Sequence, residues 1–285
     1  MNERAKKVTV PHIASAPQRG ERLVMLTAYD YQQAKSVEAA GADVVLVGDS
    51  LAMVVLGHDN TLAVTMDEML HHVRAVRRGL TRALLVADMP YGSFHLGPRQ
   101  AVENGLRFLK EAGAEAVKIE GPRPDVISAL VQAEVPVMAH LGLTPQSVHA
   151  LGGFKVQGRG EEARTKILAA ARECEEAGAF SLVLECVPSD LAAEITAAVA
   201  IPTIGIGAGA EVDGQVLVYH DLLGLEERIA PRFVRRYAEI GRATREALEA
   251  FAADVRSGAF PSRDESFGDP SHKPTAETPV RLYGG

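Results

Sequence analysis

The chain has 285 residues and a formal net charge of −7, because 37 Asp and Glu outnumber 30 Lys and Arg. This acidic balance argues against a nucleic-acid or anionic-membrane partner. The 2 cysteines are too few for a disulfide scaffold or a four-thiolate zinc site, which predicts a reducing, cytoplasmic setting. Apolar runs stay below the ~18 residues of a membrane span, and the charged N-terminus lacks a signal-peptide core.

Short apolar runs alternate along the chain with longer stretches of helical periodicity. The predicted strands are residues 23–27, 44–47, 84–87, 116–119, 136–139, 181–184, 202–206 and 215–219. The predicted helices are residues 31–40, 66–78, 98–112 and 161–177, each followed closely by a glycine. Most of the strands are apolar throughout, as parallel strands buried on both faces are. This alternation favours an α/β TIM (β/α)8 barrel over a doubly wound open sheet.

The domain organisation follows from the same alternation. Residues 1–267 are predicted to form a single barrel domain with a short N-terminal lead-in. Residues 231–255 are amphipathic and predict a C-terminal helical extension. Residues 268–285 are rich in Pro, Gly, Ser and Thr without periodicity, which predicts a mobile tail.

Charged side chains follow the predicted strands at the end where a TIM barrel carries its active site. Asp49 and Ser50 follow the second strand, and Asp88 follows the third. Considered alone, either Asp is as compatible with capping the next helix or turn as with a functional role. Two carboxylates that end adjacent strands repel each other unless a cation lies between them. The pair therefore predicts a bound hard divalent ion, and Mg²⁺ is the favoured candidate.

The fourth to sixth strands add further candidates. Lys118 and Glu120 are two residues apart on one strand, so their side chains share a face. They form either a structural ion pair or a functional set, with Lys118 on an anionic substrate and Glu120 near the metal; a Schiff-base lysine is less attractive beside metal ligands. Glu185 ends an apolar strand and is either a general base or a buried, hydrogen-bonded Glu. His140 ends the fifth strand, where a structural role is the commoner one, and Cys186 is predicted to be core.

Two glycine-rich stretches need separate interpretation. Residues 205–210 resemble a dinucleotide fingerprint, but no helix is predicted to follow them, so this backbone is expected to line the barrel mouth. Residues 152–160 lack the Lys-Ser/Thr ending of a phosphate-binding loop and predict a mobile lid after the fifth strand.

Several longer motifs resemble the ketopantoate hydroxymethyltransferase (3-methyl-2-oxobutanoate hydroxymethyltransferase) family over roughly residues 7–267. They are MLTAYD (25–30), VGDSLAMVVLGHDNT (47–61), ADMPYGS (87–93), VKIEG (117–121), HLGLTPQSV (140–148), GGFKVQGRG (152–160), LVLECVP (182–188) and IGIGAG (204–209). The resemblance implies a Mg²⁺-binding TIM barrel that transfers a hydroxymethyl group from 5,10-methylenetetrahydrofolate to 3-methyl-2-oxobutanoate through a Mg-stabilised enolate. The product would be 2-dehydropantoate, in the first committed step toward pantothenate.

The same resemblance implies roles for individual residues. Asp49 and Asp88 would be metal ligands that also contact the substrate, and Glu120 a metal-associated acid. Ser50, Lys118 and His140 would bind the keto acid, and Glu185 would accept the proton. The family also implies a homo-oligomer, a decamer of stacked pentameric rings.

Two other functions fit the residue pattern. A Mg²⁺-dependent aldolase or lyase acting on a 2-oxo acid would use the same enolate chemistry without folate. A non-catalytic barrel that binds a small molecule is less compatible, because binding alone does not require a buried base beside a metal.

Overall fold

In a computed structural model, which describes residues 6–226, 228 and 231–267, the chain forms a closed barrel of eight parallel strands in sequential order. The TIM barrel prediction is therefore confirmed. The strands are β1 (Leu23–Thr27), β2 (Val44–Val47), β3 (Leu84–Asp88), β4 (Ala116–Glu120), β5 (Val137–Gly142), β6 (Ser181–Glu185), β7 (Thr203–Ile206) and β8 (Gly214–Leu217).

Helices connect the strands and cover the outside of the barrel. They are α1 (Val10–Ala14), α2 (Ala16–Arg19), α3 (Tyr31–Ala39), α4 (Leu51–Val54), α5 (Met66–Gly79), α6 (Pro98–Ala112), α7 (Pro124–Gln132), α8 (Val148–Leu151), α9 (Glu161–Glu176), α10 (Ser189–Ala198), α11 (Tyr219–Leu222) and α12 (Ile240–Ser257), with a 3₁₀ turn at Pro145–Ser147. The four predicted long helices are confirmed within one residue at each end. Helices α7 and α10 were not predicted.

Two apolar layers hold the barrel together. The outer layer lies between the sheet and the surrounding helices, while the inner layer fills the barrel with side chains such as Met25, Leu84 and Met138. Val8 and Ile13, from the N-terminal segment, belong to the inner layer, and the backbone N–H of Val8 donates to the carbonyl of Arg82. This segment closes the amino end of the barrel, so the accessible cavity lies at the carboxyl end.

Gly79 shows that the glycines after the helices do not all act alike. Gly113 adopts φ 72° and ends α6 in the left-handed conformation, as predicted. Gly79 instead is the last residue of α5, where an added Cβ would lie 2.7 Å from the Cβ of Ala34 and from the carbonyl oxygen of Tyr31. Gly79 is therefore required for the close packing of α5 on α3.

The prediction of helix from residue 231 is wrong for residues 231–239, because α12 begins at Ile240. The N–H groups of Tyr237 and Ile240 donate to the carbonyls of Leu222 and Leu223, so this stretch pairs with the end of α11 rather than with itself. The eighth strand also ends at Leu217, two residues earlier than predicted.

The remaining expectations concern the chain as a whole. Within the described ranges, no helix is both long and apolar enough to cross a bilayer. The predicted mobile tail, residues 268–285, lies outside the described residues. The assignment of residues 1–267 to one domain stays a prediction.

Candidate active site

A cavity of about 400 Å³ opens at the carboxyl ends of the strands, a volume in the range of small-molecule sites. Its floor is the upper end of the barrel's inner apolar layer, which includes Met25, Leu46 and Val216. All seven residues singled out from the sequence line it: Asp49, Ser50, Asp88, Lys118, Glu120, His140 and Glu185.

Lys118 is held by Asp88 rather than by its neighbour in sequence. Register between β3 and β4 places the two residues side by side, and Nζ of Lys118 lies 2.8 and 2.7 Å from the two carboxylate oxygens of Asp88. Its distance to Oε1 of Glu120 is 3.9 Å. Burial alone would lower the pKa of Lys118, but Asp88, Glu120 and Asp49 together raise it above its ordinary value. The ammonium stays protonated, which disfavours a Schiff-base nucleophile.

Asp49 is oriented by Gln146, a residue that sequence reasoning missed. Nε2 of Gln146 donates to Oδ2 of Asp49 at 2.8 Å and to the carbonyl of Met89 at 2.9 Å. The backbone N–H of Gln146 donates to Oε2 of Glu120 at 3.0 Å. Gln146 lies in the 3₁₀ turn after β5, and the only signal in the sequence is its place in the HLGLTPQSV motif.

The carboxylates share one buried volume and perturb one another. Burial raises the pKa of Asp49 well above its ordinary value, and Asp88 and Glu120 add to the effect by repulsion. Burial also raises the pKa of Asp88, although Lys118 opposes the shift. The pKa of Glu120 is lowered despite its burial, because His140 and Lys118 stabilise its charge.

His140 lies between two carboxylates. Its Nδ1 is 3.6 Å from Oε1 of Glu120, and its Nε2 is 3.4 Å from Oε2 of Glu185. Burial and Lys118 would lower the pKa of His140, but the two glutamates outweigh them and raise it to about 9. The imidazole is therefore a cation at neutral pH, and it lies at the junction of the acidic cluster and Glu185.

Ser50 has a buried partner that was also missed. The hydroxyls of Ser50 and Tyr29 lie 2.9 Å apart, and Tyr29 is fully buried just after β1. Nδ1 of His72 lies 2.7 Å from the Tyr29 carbonyl and fixes this backbone from α5. Tyr29 thus restricts where the Ser50 hydroxyl can point.

The mouth of the cavity departs from one expectation. Cys186 was predicted to be core, but it lines the cavity and adopts φ 48°, a strained backbone conformation for a non-glycine residue. Its carbonyl accepts a hydrogen bond from Gln157 N–H at 2.9 Å, which ties the glycine-rich loop to the end of β6. Phe154, Lys155 and Val156 of that loop also line the cavity. The action of residues 152–160 as a lid stays a prediction.

Residues 205–210 follow the other expectation at the mouth. Gly207 and Gly209 have φ 65° and 86°, and the chain continues into β8 without a helix. The stretch is therefore not a dinucleotide fingerprint.

The donor set fits a hard divalent cation with an open coordination shell. Asp49 and Asp88 are buried carboxylates with raised pKa values, and Oε1 of Glu120 accepts no hydrogen bond. A cation among them would offset their mutual repulsion. Within the described residues, no three His, Cys, Asp or Glu side chains form a complete metal site on their own. Water and substrate would therefore supply the remaining ligands.

Comparison with known proteins decides the family. The sequence profile of ketopantoate hydroxymethyltransferase matches residues 7–263. The chain belongs to the ketopantoate hydroxymethyltransferase family. It is 55% identical to the 3-methyl-2-oxobutanoate hydroxymethyltransferase of Moorella thermoacetica, over 92% of this chain and 98% of that relative. It is 52% identical to the enzyme of that name from Pelobacter propionicus, over 94% and 100% of the two chains.

Solved structures of low sequence identity to this hydroxymethyltransferase chain share its architecture. Oxaloacetate acetylhydrolase in complex with oxalate superposes with a TM-score of 0.59 at 13% identity, covering 91% of each chain. Phosphonopyruvate hydrolase in complex with oxalate and Mg²⁺ superposes with a TM-score of 0.58 at 17% identity, covering 90% of this chain and 93% of that one. At such low identity these structures establish the fold alone.

Proposed function

We propose that the enzyme transfers a hydroxymethyl group from 5,10-methylenetetrahydrofolate to 3-methyl-2-oxobutanoate and forms 2-dehydropantoate, a step toward pantothenate. The name of its relatives supports the acceptor and the transferred group. The observation that carries the proposal is the position of Glu185, which faces the same cavity as the Asp49, Asp88 and Lys118 cluster.

The acceptor has a carboxylate, a neighbouring keto oxygen and a branched apolar carbon. Lys118 provides positive charge for the carboxylate, and the Ser50 hydroxyl donates a hydrogen bond to the keto acid. The apolar floor, with Met25 and Val216, contacts the methyl groups on C3. Asp49 and Asp88 would hold Mg²⁺, and Glu120 is the third carboxylate of this set. When bound, the ion supplies a Lewis acid that eases loss of the C3 proton.

Glu185 removes that proton. Its side chain is 17% exposed, whereas His140 beside it is 2% exposed, so it reaches the open part of the cavity. The electron pair of the C3–H bond forms the C2–C3 double bond of an enolate, and the proton moves to the Glu185 carboxylate. C3 then bonds to the methylene carbon carried by folate as the first of its two C–N bonds breaks. Water supplies the hydroxyl oxygen to that carbon as the second C–N bond breaks. Tetrahydrofolate leaves, and its two nitrogens take up the proton from Glu185 and one proton from water. His140, whose Nε2 lies 3.4 Å from Oε2 of Glu185, orients that carboxylate for the first step.

The test is the requirement for both co-substrates. We expect 2-dehydropantoate to form from 3-methyl-2-oxobutanoate only when 5,10-methylenetetrahydrofolate and a divalent cation are both present, as measured by mass spectrometry. A folate-independent aldolase or lyase would consume or cleave the keto acid without the folate. Turnover without folate would therefore favour that alternative and contradict the proposal.

Cellular setting and assembly belong to the same proposal. Both cysteines, Cys174 and Cys186, are free thiols, which suits the reducing cytoplasm.

Helix α12 buries no residue in the described part of the chain, and Leu248, Phe251 and Val255 are exposed. Such an apolar face supports a homo-oligomer, for which we keep the decamer as the expected state. Light scattering of the purified protein tests it.

A further inference from the structure

The active-site cavity contains a carboxylate that the proposed chemistry does not use. Asp221 lies on α11, beyond β8, and lines the cavity while remaining partly buried. Among the described residues, its carboxylate accepts no hydrogen bond and forms no ion pair with Lys or Arg within 4.0 Å, although the charge of Arg236 acts on it from farther away. Burial raises the pKa of Asp221 to about 6, with Glu226 adding to the shift and the positive charge of Arg236 opposing it, so the carboxylate is largely ionised at neutral pH. A half-buried, unpaired carboxylate of this kind is suited to accept donors from a ligand.

Two aromatic side chains line the same cavity. Phe233 is 37% exposed and Phe154 is 49% exposed, so both rings offer surface to a ligand. The Phe233 ring lies on the backbone of Gly207, where an added Cβ would come within 2.8 Å of Cδ1. The Sγ atom of Cys186 lies 3.4 Å from the same point, which places Phe233 beside the residue that follows Glu185.

The residues that line the cavity come from different connections of the barrel. The metal and keto-acid candidates come from the ends of β2 to β5, whereas Phe154 lies in the connection between β5 and α9, and Asp221 and Phe233 follow β8. Glu185, at the end of β6, lines the same cavity. The reaction requires the base and both co-substrates to meet in one cavity, because the C3 atom that loses its proton must also bond to the donor's one-carbon unit.

We propose that Asp221 recognises the pterin of the folate co-substrate, and that Phe233 and Phe154 contact its ring. A pterin presents an N3–H and a 2-amino group side by side, and a carboxylate accepts both in a bidentate pair. The aromatic rings supply contact surface for the flat heterocycle. This assignment rests on the proposed folate-dependent function and adds the residues that select the one-carbon carrier.

Equilibrium binding of 5-formyltetrahydrofolate, a stable folate, tests the assignment on the full-length enzyme. For Asp221→Asn we expect a dissociation constant about 10–100-fold higher, because Asn replaces one acceptor by a donor facing N–H. For Phe233→Leu we expect a rise of about 3–10-fold. Asp125→Asn, an exposed carboxylate on α7 that does not line the cavity, should bind like the parent.

Steady-state kinetics separate recognition from a general structural defect. In Asp221→Asn the KM for 5,10-methylenetetrahydrofolate should rise about 10–100-fold, and the KM for the keto acid should change less than about twofold. An equal rise in both KM values would overturn the assignment. So would unaltered folate binding by Asp221→Asn when the parent enzyme binds folate. Failure of the parent enzyme itself to bind any folate would instead contradict the proposed function.

A pterin analogue tests the contact itself. Parent and Asp221→Asn are compared for binding of 6-methyltetrahydropterin and its 2-desamino analogue, which lacks one of the two donors. The parent should prefer the amino compound by about 10-fold or more, and the variant should lose most of that preference. Equal preference in both proteins would show that Asp221 does not contact the 2-amino group.

Discussion

The imidazole of His140 bridges two strand ends, with Nδ1 3.6 Å from Oε1 of Glu120 and Nε2 3.4 Å from Oε2 of Glu185. One buried cation therefore links the acidic cluster near the metal candidates to the proposed base.

The first prediction concerns stability against pH. The pKa of His140 is raised to about 9 in the folded protein, above ~6.5 in an unfolded chain. Its stabilising contribution is complete below pH ~6.5 and is lost as the pH rises through about 9. The metal-free protein should lose on the order of 3 kcal/mol of unfolding free energy over this window, and His140→Gln should lose markedly less, in urea titrations at fixed protein concentration. The exposed His149→Gln serves as control; a parallel pH dependence in His140→Gln would contradict the assignment.

Lys118 has both a structural and a proposed binding role. Lys118→Met leaves Asp88 buried without its cationic partner, which should destabilise the metal-free protein by about 3–5 kcal/mol. Mg²⁺ should recover part of this loss by neutralising Asp88. We also expect the KM for the keto acid to rise by the equivalent of ~2–5 kcal/mol. Thermal melting with and without Mg²⁺ and steady-state kinetics measure the two effects. An unchanged KM would return Lys118 to a purely structural role.

Gln146 is expected to act through Asp49 and Glu120. Gln146→Met keeps the length of the side chain but removes the donor to Oδ2 of Asp49. Loss of such a supporting contact should weaken divalent-cation binding about 10–100-fold. Titration with Mn²⁺ followed by electron paramagnetic resonance measures the affinity. The exposed Gln132→Met on α7 should leave the affinity unchanged. Parent-like Mn²⁺ affinity in Gln146→Met would show that Gln146 does not orient a metal ligand.

Gly79 provides a test of the helix packing. In Gly79→Ala the new Cβ would meet the Ala34 Cβ and the Tyr31 carbonyl, and neither is the end of a flexible side chain. We expect a loss of ~1–3 kcal/mol in unfolding free energy, despite the higher helix propensity of alanine. A stabilised variant would mean that α3 and α5 can separate without cost.

The strands and the site residues were predictable because they depend on local pattern. Strands β2, β3, β4 and β6 begin at the predicted residues, since their runs are buried and largely apolar, a pattern that fits few other structures. Asp88, Glu120 and Glu185 end strands, and the carboxyl ends of barrel strands converge wherever the barrel closes. Their placement in one cavity therefore followed from the strand order alone.

Contacts between distant segments were not predictable in this way. Gln146 reaches Asp49 from a loop 97 positions away, and nothing in its local sequence specifies that partner. Residues 231–239 have an amphipathic pattern, but Phe233 packs on Gly207 and Tyr237 N–H bonds to Leu222, so tertiary contacts replace a helical turn. Cys186 was placed in the core because its strand is apolar, yet its positive φ turns it into the cavity wall.

The central claim is that Glu185 takes the C3 proton of the keto acid, and deuterium exchange at C3 tests it most directly. In D₂O with Mg²⁺ and no folate, the parent enzyme should exchange the C3 proton of 3-methyl-2-oxobutanoate for deuterium. Proton NMR spectroscopy measures this exchange. Glu185→Gln should exchange ~10²–10⁴-fold more slowly while binding Mg²⁺ and keto acid almost as before, and the exposed Glu194→Gln should match the parent. Exchange at the parent rate in Glu185→Gln would contradict the account and move the base to another group in the cavity.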